Sequence, residues 1–304
     1  MIDYLFMLIA VILMAGSFVT QKAFQNRIGN TADANFKFNA FCGIFRVLIF
    51  VLIAGIQQDF KFNFSWFSVI LATITALVGF AYLLLSFPML KSGQMATYTL
   101  FLMTGGSMIP YVWGLFKLGE EFSILRTLGL VLIIGGVFFA NFQRTSINKK
   151  YILMGVGVFI FNGIMSTVAK IHQVEKGYET VSSSEFIVFQ SIAFFVLGTA
   201  SWIIWALMNR DGVARLAARS AKEKKETTFW MLFWCFMTAI VGGVSYIFQL
   251  TSAENLPATV VYPFLTGGSI IFTAIAGLLF FREKISKKVL VGIVLCFVGT
   301  LMFL

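Results

Sequence analysis

Residues 256–272 read LPATVVYPFLTGGSIIF, and residues 94–110 read QMATYTLFLMTGGSMIP. Thirteen-residue windows from Met95 and Pro257 agree at Ala96/Ala258, Thr97/Thr259, Thr104/Thr266, Gly105/Gly267, Gly106/Gly268 and Ser107/Ser269. Both copies sit inside apolar runs, near the middle of segments long enough to cross a bilayer as a helix. One small, polar, glycine-bearing cluster thus occurs twice, about half a chain apart. The cluster points to an internal repeat, and the solvent around it decides what the repeat can be.

That solvent is lipid. The 304 residues are 59% hydrophobic and 12% charged, where a soluble domain carries about 25% charged residues. Ten apolar runs are expected as spans, near 4–21, 36–56, 66–87, 95–116, 124–142, 151–170, 185–208, 229–250, 257–281 and 287–304. Only helices and closed barrels satisfy backbone hydrogen bonds in hydrocarbon. Barrel strands are about ten residues long and alternate apolar with polar. These runs are continuous and about twice that length, so the expected fold class is an all-α membrane protein. The first run lacks a basic leader and a small-residue cleavage site and reads as a retained helix. The polar stretch Asn209–Phe229 is read as a solvated loop, with room for a helix on the membrane surface.

Working outward from TGGS, the repeat grows. TALVG at Thr75 answers TAIVG at Thr238, and Gly129 and Gly136 answer Gly292 and Gly299. Glu120 or Glu121 answers Glu283, and QKAFQ at Gln21 more weakly answers AKIHQ at Ala169. The third to fifth helices repeat at an offset of 162 to 163. The chain therefore divides into a first five-helix repeat, residues 1–145, and a second, residues 146–304. Five is odd, so the second half enters the membrane from the opposite side. Two inverted five-helix repeats are an architecture of secondary transporters, whose halves exchange conformations to move a central site between the two sides.

The stretches LGEEFSILRTLGLVLIIGGVFF and FREKISKKVLVGIVLCFVGTLMF end the two halves, each a short glutamate turn followed by a glycine-spaced last helix. With ten helices in two halves, they resemble the drug/metabolite transporter superfamily of EamA type. Arg46, in GIFRVLIFVLIAG, resembles the arginine often found in that family's second helix. The second half departs from the pattern in reading FFREK where LGE would be closer. The resemblance covers essentially the whole chain. It implies a carrier of a small metabolite or drug, with a cavity lined by both halves, in the cell membrane of a bacterium.

Arg46 is the deepest ionisable residue, at the centre of its span. A charge at that depth is costly and faces a cavity or a partner. The carboxylates lie almost entirely in loops or near helix ends, so none faces Arg46 at its depth, and an anionic substrate group would fill the role. The bland alternative is that Arg46 bonds backbone carbonyls and fixes packing. Lys22 and Lys170, at the ends of the first helix of each half, read as snorkelling to headgroups, and His172, the sole histidine, as a structural residue at an interface. The candidate substrate-binding set is Arg46, Tyr98, Thr104, Ser107, Asn162, Gln190, Tyr246, Tyr262, Thr266 and Ser269. The matched glycine interruptions place both TGGS clusters at a midplane cavity bordered by the third, fourth, eighth and ninth helices. The competing reading is small-residue helix packing.

A proton-coupled exporter of cationic drugs needs a buried acid, and divalent metals need clustered oxygen ligands. Neither is visible, so neutral, zwitterionic or anionic organic metabolites fit better, moved by alternating access without a proton gradient. A proton-coupled drug exporter and a non-transporting receptor or scaffold are the alternatives. No histidine cluster, paired intramembrane acid or GxSxG supports an enzyme, and no cofactor or metal is expected; Cys42, Cys235 and Cys296 fall inside spans with no disulfide or metal spacing. The expected partners are a small-molecule substrate and the lipid bilayer. A homodimer is a further candidate, and the net charge of +10 belongs to topology rather than to nucleic acid. Of the 23 Lys and Arg, five fall on one face and seventeen on the other, which puts the seventeen-residue face in the cytoplasm and both termini outside, against the family's usual arrangement.

Overall fold

The computed structural model describes residues 2–29, 31–91, 95–141, 149–209, 221–282 and 286–304. Among them are ten α-helices: α1 (Ile2–Ile28), α2 (Ala32–Gln57), α3 (Trp66–Lys91), α4 (Met95–Lys117), α5 (Ile124–Asn141), α6 (Lys149–Val174), α7 (Ser183–Met208), α8 (Ala221–Asn255), α9 (Ala258–Phe281) and α10 (Lys287–Leu301). Eight of them, all but α5 and α10, are long and apolar enough to cross a membrane. The chain is an all-helical integral membrane protein, with large apolar side chains such as Leu153, Phe116 and Leu279 exposed on its flanks.

Local chemistry sets the helix ends. Thr31 caps α2 by accepting from the Ala34 N–H, Ser286 caps α10 by accepting from Val289, and Ser182 and Glu185 form a capping box at α7. Gly29, at φ 107°, ends α1 in a conformation that a side chain would strain. The polar stretch before α8 corrects one expectation. From Ala221 onward it is helix, continuous with the span, and α8 runs 35 residues. At 1.5 Å per residue this is roughly 52 Å, well beyond a ~30 Å hydrocarbon core. Its Lys- and Glu-rich start favours helix, and Glu226 there pairs with Arg27 at 2.7 Å. Residues 210–220 lie outside the described residues.

The helices pack mainly between the two halves of the chain. α1 lies on α8 and α9, and α6 lies on α3 and α4. α2 packs on α7, α5 on α10 and α4 on α9. At the α5–α10 seam, a Cβ on Gly129 would sit 2.8 Å from the Gly299 carbonyl oxygen, and one on Gly136 would sit 2.6 Å from that of Gly292. Seen from α10 the same contacts return, Gly292 against Gly136 and Gly299 against Gly129. The register runs in opposite senses, so the two helices are antiparallel, and backbone meets backbone as small residues allow in lipid. At the α2–α7 seam Gly43 abuts the Phe195 backbone and Gly198 abuts the Ala40 backbone.

One end of the bundle is sealed by polar contacts. Glu185 accepts from the Asn63 N–H at 2.7 Å, from Gln58 at 3.1 Å and from Ser182. The Ser68 hydroxyl pairs with His172 at 3.0 Å, and the imidazole stacks on Phe186. His172, in the last turn of α6, is thus buried within the protein and held by structural contacts. Lys170 is buried as well, which corrects the snorkelling expectation. Its ammonium donates to the carbonyls of Ala253 and Leu256, the latter at 2.6 Å. Those groups end α8, where four carbonyls lack helical partners and the helix dipole favours a cation. Across the same turn Glu120 accepts from the N–H groups of Ala258 at 2.6 Å and Thr259 at 2.8 Å. Pro257, at the N-cap of α9, has no side-chain oxygen to do so. The α8–α9 turn is thus fastened from both sides. Glu283, matched to Glu120 in sequence, lies outside the described residues.

Candidate functional site

A cavity of about 190 Å³ lies between α1, α2, α3, α7 and α8. It is lined by Ser17 and Gln21 of α1, Phe38, Asn39, Cys42, Gly43 and Arg46 of α2, Gly79, Tyr82 and Leu83 of α3, Ser191 and Phe194 of α7, and Thr238 of α8. These positions are at mid-depth, on the α1–α2-turn side of centre and away from the sealed end.

Among the described residues, Arg46 is the sole charged one on this wall. Its guanidinium passes between α1 and α8, because Gly242 leaves room for it. A Cβ at Gly242 would lie 3.3 Å from Nη2 and 3.3 Å from the Ser17 Cβ. Nε is buried and, among the described residues, has no hydrogen-bond partner. Tyr82 and Tyr246 lie within electrostatic reach of the guanidinium. Beyond Tyr246 a polar row continues: Gln190 pairs with Tyr246 and donates to the Thr75 hydroxyl at 3.1 Å. Tyr262 donates to the Ser166 carbonyl at 2.7 Å. Tyr262 lies within electrostatic reach of both Tyr246 and Glu120, which carries the row toward the α8–α9 turn.

The sequence candidates separate on this geometry. Arg46 lines the cavity, and Gln190 and Tyr246 stand directly behind it. Thr104, Ser107, Thr266 and Ser269 do not line it. Three of the four hydroxyls bond carbonyls one turn back, Thr104 to Leu100, Ser107 to Met103 and Ser269 to Thr266. The neighbouring glycines serve close packing. Gly105 meets the Phe159 backbone of α6, Gly106 meets the Asn162 amide, Gly267 meets Thr300 of α10 and Gly268 meets Val11 of α1. Asn162 donates to the Leu102 carbonyl at 2.8 Å across the α4–α6 contact. Tyr98 sits half-buried in the first turns of α4 and is not on the cavity wall. Thus α3 and α8 border this cavity, whereas α4 and α9 turn their bare glycine faces onto adjacent helices.

The residues missed by sequence reasoning are Ser17, Gln21, Tyr82, Ser191 and Thr238. A signal for part of this set existed in the weaker repeat. Gly79 of TALVG and Thr238 of TAIVG both line the cavity, and Gly242, the counterpart of Gly79, cradles Arg46.

The model of one protein family, Small Multidrug Resistance protein, matches residues 203–296, from the end of α7 through most of α10. That match, over about a third of the chain, fits a membrane protein of drug/metabolite-transporter type. Comparison with curated proteins returns no match. One solved crystal structure, described only as that of a protein, superposes with a TM-score of 0.72 over 99% of this chain and 95% of that one, at 13% identity. At that identity the likeness is one of fold alone.

Proposed function

We propose that the chain is a secondary transporter that moves a small organic solute by alternating access of the Arg46 cavity. In this reading all ten helices span, and residues 1–145 and 146–304 are inverted five-helix repeats of EamA type. The observation that carries it is the exchange symmetry of the packing. Swapping α1–α5 for α6–α10 turns the α1–α8 and α1–α9 contacts into α6–α3 and α6–α4, and leaves α2–α7, α4–α9 and α5–α10 on themselves. The same swap, at the sequence offset of 163, turns the Gly129–Gly299 contact into Gly292–Gly136. Two halves related in this way have two equivalent ways of tilting about their shared seams. A cavity on one side of centre, opposite a polar seal, is one of those two states.

The face bearing most of the Lys and Arg is cytoplasmic in this reading, so the cavity belongs to an inward-facing form. The test is uptake by proteoliposomes from a mixed metabolite pool, read by mass spectrometry, with and without a pH gradient. Enrichment of particular small solutes in protein-containing vesicles is expected. Vesicles that take up nothing beyond protein-free controls would sink the transport reading.

The matched family's printed description favours a second reading, a multidrug exporter. Against it stands the cavity wall, which offers a cation and no carboxylate to an organic cation. Extrusion of a cationic dye driven by an imposed proton gradient would favour the exporter.

A further inference from the structure

We infer that the cavity binds the carboxylate of a small organic anion on the Arg46 guanidinium, an inference that rests on the transport reading of the same cavity. The first ground is an unmet charge. Arg46 lies at mid-span, its Nε is buried without a partner among the described residues, and no Asp or Glu lines the cavity. Carboxylates elsewhere in the bundle have their own partners: Asp33 with Lys37 at 3.0 Å, Glu226 with Arg27, and Glu120 and Glu185 on backbone N–H groups of the sealed end. A guanidinium in a low-dielectric site is stabilised best by a planar anion that meets its fork.

The second ground is shape. Gly242 leaves room for Nη2 beside α8, where a Cβ would sit 3.3 Å from it. Phe38 and Phe194 supply apolar walls, and Gln21, Tyr82 and Ser191 supply hydrogen-bonding groups on other helices. A cavity of about 150 Å³ holds benzene, so 190 Å³ accommodates a ring-sized acid or a shorter aliphatic one. The third ground is what is missing. An ammonium group would find no counter-charge on this wall, which disfavours organic cations and leaves a zwitterion half-satisfied.

The experiment measures binding to the purified full-length protein in nanodiscs, by equilibrium dialysis of labelled benzoate. Neutral benzamide and inorganic phosphate serve as competitors, and acetate and lactate extend the series. Benzoate or a shorter acid is expected to bind, and benzamide and phosphate to compete poorly. Arg46→Gln is expected to weaken binding at least about tenfold, the loss of a charge-assisted pair. Arg46→Lys keeps the charge and should retain part of the affinity. Gly242→Ala, which crowds Nη2 without removing charge, should weaken binding in a folded protein. Binding of benzamide as strong as benzoate would overturn the inference. So would full competition by phosphate, unchanged affinity in both Arg46→Gln and Gly242→Ala, or no binding by any acid of the series. Exchange of labelled benzoate in proteoliposomes separates this from the parent reading. Binding without exchange keeps the carboxylate site and removes transport, whereas exchange of neutral solutes undiminished in Arg46→Gln keeps transport and removes the carboxylate site.

Discussion

Replacing Gly136 by alanine would put a methyl carbon 2.6 Å from the Gly292 carbonyl oxygen, 2.7 Å from the Cys296 sulfur and 3.0 Å from the Cys296 nitrogen. Two of these neighbours are backbone and cannot rotate away. Bringing 2.6 Å to an ordinary contact of about 3.4 Å parts α5 and α10 by roughly 0.8 Å, and overpacking of this kind costs about 1–3 kcal/mol. The neighbouring Gly135 has nothing within 4 Å of its notional Cβ. Gly135→Ala should therefore show only the helix-propensity gain, up to about 1 kcal/mol. The two adjacent alanines should differ by at least about 1 kcal/mol, roughly fivefold or more in the unfolding equilibrium. The proposed two-fold relation adds a sharper condition. Gly292→Ala meets the Gly136 oxygen at 2.6 Å and the Ala140 Cβ at 2.6 Å, and Gly129→Ala meets the Gly299 oxygen at 2.8 Å, so these counterparts should both destabilise. Reversible unfolding by SDS in mixed micelles, followed by circular dichroism, gives the comparison. Equal destabilisation by Gly135→Ala and Gly136→Ala, or a neutral Gly292→Ala, would refute the packing argument.

The sealed end gives a second expectation. Glu120→Ala leaves the Ala258 and Thr259 N–H groups unmet and should cost about 2 kcal/mol or more, with hydrogen exchange at the start of α9 rising well before that of α5. Slow exchange there in the variant would show that the carboxylate does not fasten the turn. Orientation is read by single-cysteine labelling with an impermeant reagent on intact cells: Asn63→Cys, in the α2–α3 loop, should react, and Asn209→Cys, at the C-cap of α7, should be protected. The reverse pattern would invert the assignment. Solute exchange should run at similar rates with and without a pH gradient, because no carboxylate among the described residues lines the cavity; uphill transport driven by pH alone would contradict this.

Composition and run length decided much of this protein without coordinates. Continuous apolar stretches in a chain with few charges leave helices as the only way to satisfy the backbone in lipid. The starts of α3, α4, α5 and α10 coincide with those expected from the apolar runs, whereas α2 begins four residues earlier, behind the Thr31 cap, and α8 eight residues earlier. Matched glycines pointed to a repeat because close backbone contact permits no side chain, and Gly129, Gly136, Gly292 and Gly299 all meet backbone here. Arg46 stood out for a similar reason, since a mid-span charge has few tolerable environments. What each small residue faces was a different matter. TGGS and TALVG/TAIVG both recur and both carry glycine, and helical periodicity does not say which neighbour lies opposite. Tertiary packing turned Gly105 and Gly267 onto adjacent helices and left Gly79 and Thr238 on the cavity wall. It also buried Lys170 on the carbonyls that end α8, 83 residues away in sequence. A lysine at a helix end snorkels or caps according to which backbone groups reach it, and that pairing exists only once the two halves have docked.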